Sequence, residues 1–175
     1  FPDNGLYATN NEGTIIVHGG LYRNCNGANI RVGGQGSQIR WPTVEVDSMR
    51  PEDRSQRGIR IENGRGFKIY GAAISNSVPE PTSHAISVMN TCRSARIERT
   101  QIDIRGSDVS HGIVLSPECG ETTLIDTEIA HATAGGHALW IQDTDRTDRV
   151  LGEHLTITGE SGEESGFRDA IRCER

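Results

Sequence analysis

Lysine is almost missing from this chain: of its 18 Lys and Arg residues only Lys68 is a lysine. Acidic side chains outnumber basic ones, 24 to 18, for a formal net charge of −6. That balance argues against a nucleic-acid-binding face, which needs a basic stripe to meet phosphates. No run of about 18 apolar residues exists, so no transmembrane helix is expected. There is no signal-peptide pattern either, and the chain opens directly on repeat-like sequence, so the expectation is a processed or trimmed N-terminus. The four cysteines form no Cys-x-x-Cys pair and no tight Cys/His cluster, which excludes the usual zinc spacings. No apolar period of 3.6 residues survives anywhere, so helices are not the building element.

What is present is a repeat. The stretch from His84 to Ser110 lies in register over the stretch that begins at His111: Ile86, Val88, Ile97 and Ile102 fall over Ile113, Leu115, Leu124 and Ile129, and Cys92 over Cys119. Extended along the chain, the first inward apolar position is Leu6, Ile30, Ile59, Ile86, Ile113, Leu139 and Ile171, with spacings of 24 to 32 residues. Another apolar or small residue follows two positions later in each copy, the alternation of a half-buried strand. A second strand is expected at Ile16, Ile39, Ile69, Ile97, Leu124 and Val150. A third is expected five residues on, at Leu21, Val44, Ile74, Ile102, Ile129 and Leu155.

Three short strands cannot bury a core alone, but stacked copies can, each strand bonding to its equivalent about 4.8 Å away. The fold expected is therefore all-β: a right-handed parallel β-helix of about six to seven coils of 24–32 residues, three short strands per coil, in one domain over residues 1–175. On coil length and column pattern the chain resembles the pectate-lyase-like superfamily of β-helix proteins, a resemblance that covers essentially the whole chain. Neither end shows a cap, so a segment of a longer solenoid is expected, or open ends that template end-to-end self-association. Arginine without lysine beside an acidic balance also resembles the proteins of halophilic archaea, although a GC-rich genome gives the same bias.

Several groups of side chains are candidates for chemistry. Two residues before the first inward position stand His84, His111, His137 and Asp169 on consecutive coils, a stacked ladder or, less simply, a transition-metal site. The outward column one residue after that position holds Arg31, Arg60, Trp140 and Arg172. It flanks a small column that includes Gly58, Gly112 and Ala138, and the pair reads as a trough for an anionic glycan or another protein. No cofactor is assigned; Asp143, Asp145 and Asp148 in one turn are a weak calcium candidate. Cys92 and Cys119, stacked on adjacent coils, are expected to form a disulfide. Cys173 should face the core.

The clustered aspartates and Arg-x-Lys motif of polygalacturonase-like members are missing, as are the calcium cradle and paired basic residues of pectate lyases. No catalytic residue is assigned. The expected function is a non-catalytic module, extracellular or on a cell or virion surface, for adhesion, filament assembly or glycan binding. Its partners would be a polysaccharide or a cell-surface or filament protein. The alternative is a polysaccharide-active lyase or hydrolase of the superfamily.

Overall fold

A computed structural model describes residues 4–9, 12–48, 56–77, 84–105, 110–117, 119–131, 136–143, 149–159 and 169–174. Every regular element among them is a strand. The chain runs through β1 (Leu6–Ala8), β2 (Ile16–His18) and β3 (Leu21–Arg23), then repeats the circuit with β4 (Ala28–Gln35), β5 (Gln38–Arg40) and β6 (Thr43–Val46). The third and fourth coils are β7 (Arg57–Arg65), β8 (Phe67–Tyr70), β9 (Ala73–Asn76) and β10 (His84–Cys92), β11 (Ser94–Glu98), β12 (Gln101–Ile104). The fifth and sixth are β13 (His111–Leu115), β14 (Glu121–Ile125), β15 (Glu128–His131) and β16 (His137–Ile141), β17 (Val150–Glu153), β18 (Thr156–Gly159), and β19 (Asp169–Cys173) opens a seventh.

Each strand pairs only with its equivalents one coil away, always in parallel. The first sheet is β1-β4-β7-β10-β13-β16-β19, the second holds β2, β5, β8, β11, β14 and β17, and the third holds β3, β6, β9, β12, β15 and β18. The molecule is a parallel β-solenoid with three strands per coil, as the repeat predicts. No helix among the described residues is long and apolar enough to cross a membrane.

The register of the first sheet follows the expected column throughout: Leu6 pairs with Ile30, Ile30 with Ile59, Ile59 with Ile86, Ile86 with Ile113, Ile113 with Leu139 and Leu139 with Ile171. From Ile30 to Leu139 these side chains are buried and stack like on like. Burying each isoleucine contributes about 1.5–3 kcal/mol, and the stacking makes the contribution repeat from coil to coil.

The second and third sheets follow the expected columns in the four middle coils and depart from them at both outer ones. Ile39 pairs with Val17, not Ile16, and Val44 pairs with Tyr22, not Leu21. Ile16 and Leu21 consequently point outward, 59% and 60% exposed. A one-residue slip inverts every side chain of a strand, and Ile16-Val17 is an apolar pair whose own pattern cannot say which member faces in. At the other end Leu124 pairs with Gly152 and Ile129 with Ile157, so the expected Val150 and Leu155 sit two residues early. The five-residue offset itself holds in all six coils, carried by Val17 and Tyr22 in the first and Gly152 and Ile157 in the sixth.

Two turn columns explain how so short a coil closes. Leaving the first sheet, Gly34, Asn63, Asn90 and Asp143 all have positive φ, at 96°, 52°, 48° and 59°. Between the second and third sheets one left-handed residue stands in every coil, two positions after the inward one: Gly19, Trp41, Gly71, Arg99, Asp126 and His154, with φ from 46° to 68°. The backbone N–H of each residue from Gly19 to Asp126 donates to a carbonyl of the next coil. Glycine, asparagine and aspartate take this conformation cheaply, whereas it strains Trp41 and Arg99 by about 1–2 kcal/mol each. The stacked hydrogen bonds hold them there.

Candidate functional site

The outer face of the first sheet carries the histidine ladder and the arginine column. His84 pairs in register with His111 and with Arg57, and His137 with Asp169. The His84 and His111 rings meet edge-on at 5.5 Å, and those of His111 and His137 stack at 5.2 Å. Trp140 closes the group, its ring 4.8 Å from that of His111. His111 Nδ1 accepts the backbone N–H of His137 at 3.1 Å, and His84 Nδ1 lies 3.0 Å from Ser87 Oγ. These bonds use His84 Nδ1 and His111 Nδ1 for structure, whereas His84 Nε2 and Trp140 Nε1 are buried without a hydrogen-bond partner among the described residues. Among the described residues no three His, Cys, Asp or Glu side chains converge to hold a metal ion. Burial first, then the neighbouring His111 and Arg57, pushes the His84 pKa down to about 3.

Arg31 and Arg60 do not stand open as a glycan-binding pair. Both reach Glu62, whose side chain is only 2% exposed: Arg31 Nη2 lies 2.7 Å from Oε1 and Arg60 Nε 2.6 Å from Oε2. Both carboxylate oxygens are thereby occupied by guanidinium groups, and Arg31 also covers the Tyr7 ring at 5.0 Å. Arg57, one column over, is held below its ordinary pKa by burial and by Arg60 and Arg31. Arg172 lies 3.3 Å from Glu174. The small column is not a trough floor: Ala85 and Ala138 are buried, and a Cβ on Gly58 or Gly112 would come within 2.5 Å of the Ala85 carbonyl oxygen or 2.4 Å of that of Ala138. Smallness there serves the close approach of successive coils.

The thiols of Cys92 and Cys119 are buried and unbonded in the structure, where a disulfide is expected from the sequence. The stacking is as expected, since Gly120 N donates to Cys92 O. The side chains, however, turn to different acceptors: Cys119 Sγ lies 3.1 Å from Val88 O, and Cys92 Sγ faces Ser94 O at 3.8 Å. Burial and the neighbouring Cys119 raise the Cys92 pKa to about 12. Cys173 takes the inward column, in register with Ile141, and is exposed because no further strand covers β19 among the described residues. Cys25 is buried beside Gly5. Of the calcium candidates Asp143 occupies a left-handed turn position. Asp145, Asp148 and the side chain of Asp169 lie outside the described residues, as do residues 49–55, 78–83 and 160–168.

A different face presents the better-built site. On the outer side of the second sheet, β5, β8 and β11 frame a groove of about 540 Å³ lined by Gln38, Arg40, Trp41, Lys68, Tyr70, Arg96 and Glu98, with Ile69 at its base. The strand period dictates this lining. With Ile39, Ile69 and Ile97 turned into the core, the residues before them (Gln38, Lys68, Arg96) and after them (Arg40, Tyr70, Glu98) form two outward columns. Trp41 joins them from the left-handed turn, 51% exposed, its ring edge-on to Tyr70 at 5.5 Å and 5.0 Å from His18. Arg99 Nη1 donates to the Tyr70 hydroxyl at 2.7 Å and fixes the phenol. The indole lies across Gly71, where a Cβ would sit 2.4 Å from Trp41 Cδ1. Glycine at 71 is thus required twice, for its φ of 63° and for the space the indole fills.

Charge is sorted between the faces. The groove on the second sheet gathers Arg40, Lys68 and Arg96 against Glu98 alone, while a shallower groove on the third sheet is lined by Glu45, Asp103 and Glu128 with Arg105. The only lysine of the chain is in the basic groove. Its lining is readable as two columns flanking Ile39, Ile69 and Ile97, whereas Trp41 falls outside both columns and is placed by the left-handed turn. Comparison with protein-family models, curated proteins and solved structures finds no match.

Proposed function

We propose that this chain is a non-catalytic glycan-binding module, a β-helix that grips an extended saccharide on the outer face of its second sheet. One observation carries the reading: exposed Trp41 and half-buried Tyr70 stand beside a groove whose walls are hydrogen-bonding side chains on three successive coils. Sugar rings offer apolar C–H faces to aromatic surfaces and hydroxyls to Arg, Gln and Glu, so the arrangement matches both halves of a saccharide. Rungs about 4.8 Å apart suit a chain lying along the solenoid axis. The resemblance to pectate-lyase-like β-helices and an extracellular or cell-surface setting belong to the same reading.

Binding rather than turnover is favoured by what the polar groups do. Glu62 is clamped by two arginines, and His84 Nδ1 and His111 Nδ1 are engaged by Ser87 and by the His137 backbone. The test is a glycan array followed by calorimetry on the positive saccharides, with Trp41→Ala as the control and reducing-end release monitored in parallel. Expected are binding without new reducing ends and a loss of about tenfold or more in affinity for the variant. Steady release of new ends would instead establish the polysaccharide-active enzyme.

A further inference from the structure

We propose that the ridge between the first and second sheets carries a binding site for a small phosphate monoester, held by the stacked guanidinium groups of Arg65 and Arg93. The two arginines line a groove of about 490 Å³ together with Gln35, Asn63, Gly64 and Thr91. None of these residues belongs to the saccharide groove of the second sheet. Gln35 pairs in register with Arg65, and Arg93 N donates to Gly64 O at 2.7 Å, so Gln35, Arg65 and Arg93 stand on three successive coils. Like charges on neighbouring rungs repel, and no described carboxylate lines the groove to offset them. Arg65 Nε donates to the neutral amide oxygen of Gln35 at 3.0 Å. The Arg93 side chain makes no hydrogen bond or ion pair among the described residues.

Other arginines of the fold find a carboxylate. Arg23, Arg96, Arg105 and Arg172 each reach one on their own or the next coil, and Arg31 and Arg60 share Glu62. The pair on the ridge is thus a local surplus of two positive charges in a chain of net charge −6. A dianion balances it. A carboxylate or a phosphodiester brings a single charge, whereas a phosphate monoester brings close to two at neutral pH, with three terminal oxygens for the two forks. The Thr91 hydroxyl donates to Asn63 Oδ1 at 3.4 Å, which leaves the Asn63 Nδ2 protons for the same ligand. Coils meet closely beneath the arginines: a Cβ on Gly64 would clash with the Gly34 carbonyl, and one on Gly120 with that of Arg93. The floor of the groove is therefore rigid backbone. Its volume exceeds one phosphate group and admits the organic half of a small ester.

The test titrates glycerol 3-phosphate, inorganic phosphate, inorganic sulfate and dimethyl phosphate into the intact chain by calorimetry, in chloride buffers at pH 5.5 and pH 7.5. Expected is binding of glycerol 3-phosphate at pH 7.5, about tenfold tighter than that of the singly charged diester. Affinity for the monoester should rise about fourfold between the two pH values as its second proton leaves, with a pKa near 6, while that for sulfate stays level. Arg65→Ala and Arg93→Ala should each lose about tenfold, and Arg93→Lys about threefold because the planar fork is gone. Both alanine variants should melt no lower than the parent, since each relieves a like-charge contact. Saccharide binding on the second sheet should be unmoved in both. No binding of the monoester at millimolar concentrations, or an affinity untouched by both alanine variants, would overturn the site. Equal affinity for dimethyl phosphate and glycerol 3-phosphate would overturn selection of a dianion. Binding of inorganic phosphate without the ester would overturn the monoester assignment.

Discussion

His84 shows how one buried side chain sets the acid limit of the fold. Its pKa falls from 6.5 to about 3 in the folded chain, so between those values the unfolded chain binds a proton that the folded chain refuses. Stability therefore declines as pH falls through that window, by roughly 1 kcal/mol per pH unit from this group. Urea titrations between pH 7 and pH 4 should show the midpoint dropping, and His84→Phe should flatten the slope. An unchanged slope in the variant would move the acid sensitivity to other groups. Glu62 is the complementary case. Its two arginines were brought into a desolvated site by its charge, so Glu62→Gln should cost about 3 kcal/mol, measured by chemical denaturation. Cys92, raised to about 12 by burial, should resist thiol reagents at neutral pH. Only exposed Cys173 is expected to label quickly in the native protein, and rapid labelling of Cys92 without denaturant would contradict its packing.

At the scale of the strand, the stack tolerates change where side chains alternate and refuses it where backbones touch. Gly112 lies in β13 with the Ala138 carbonyl of β16 so close that a Cβ would stand 2.4 Å from the oxygen. Gly112→Ala must push two coils apart and should lower stability by at least 2 kcal/mol, read from thermal melts. The exposed Gln101 of β12 is a fair control, since Gln101→Ala should stay within about 0.5 kcal/mol. The turn after each second strand behaves as one element across six coils, its left-handed residues stacked along the axis. Trp41 is strained there, and the same strain presents its indole to solvent beside Tyr70. A site built on a stacked turn is more rigid than one on a free loop.

In the whole molecule stability is distributed along one axis, since every coil contacts only its neighbours. Central isoleucines are covered by a coil on each side, whereas Ile171 in β19 is 51% exposed. Ile86→Ala should therefore cost about 2–5 kcal/mol and Ile171→Ala much less than half of that. Equal losses at the two positions would contradict the linear stack. The sequence by itself determined the coil, the three strands and the first-sheet register, because a period-two pattern repeated seven times leaves a single inward phase. It also determined the histidine ladder, which needs no more than equal spacing. Only the tertiary structure decided the phase of the outer coils, where Ile16-Val17 is ambiguous until Ile39 selects a partner. It likewise decided that Arg31 and Arg60 share one buried carboxylate, since Glu62 lies 31 residues from the first and on the next coil. Column reading shows which residues share a face. Whether a charge on that face is free depends on a neighbour whose side chain must be placed in space, and that is why Arg60 is engaged by Glu62 while Lys68 and Trp41 line an open groove.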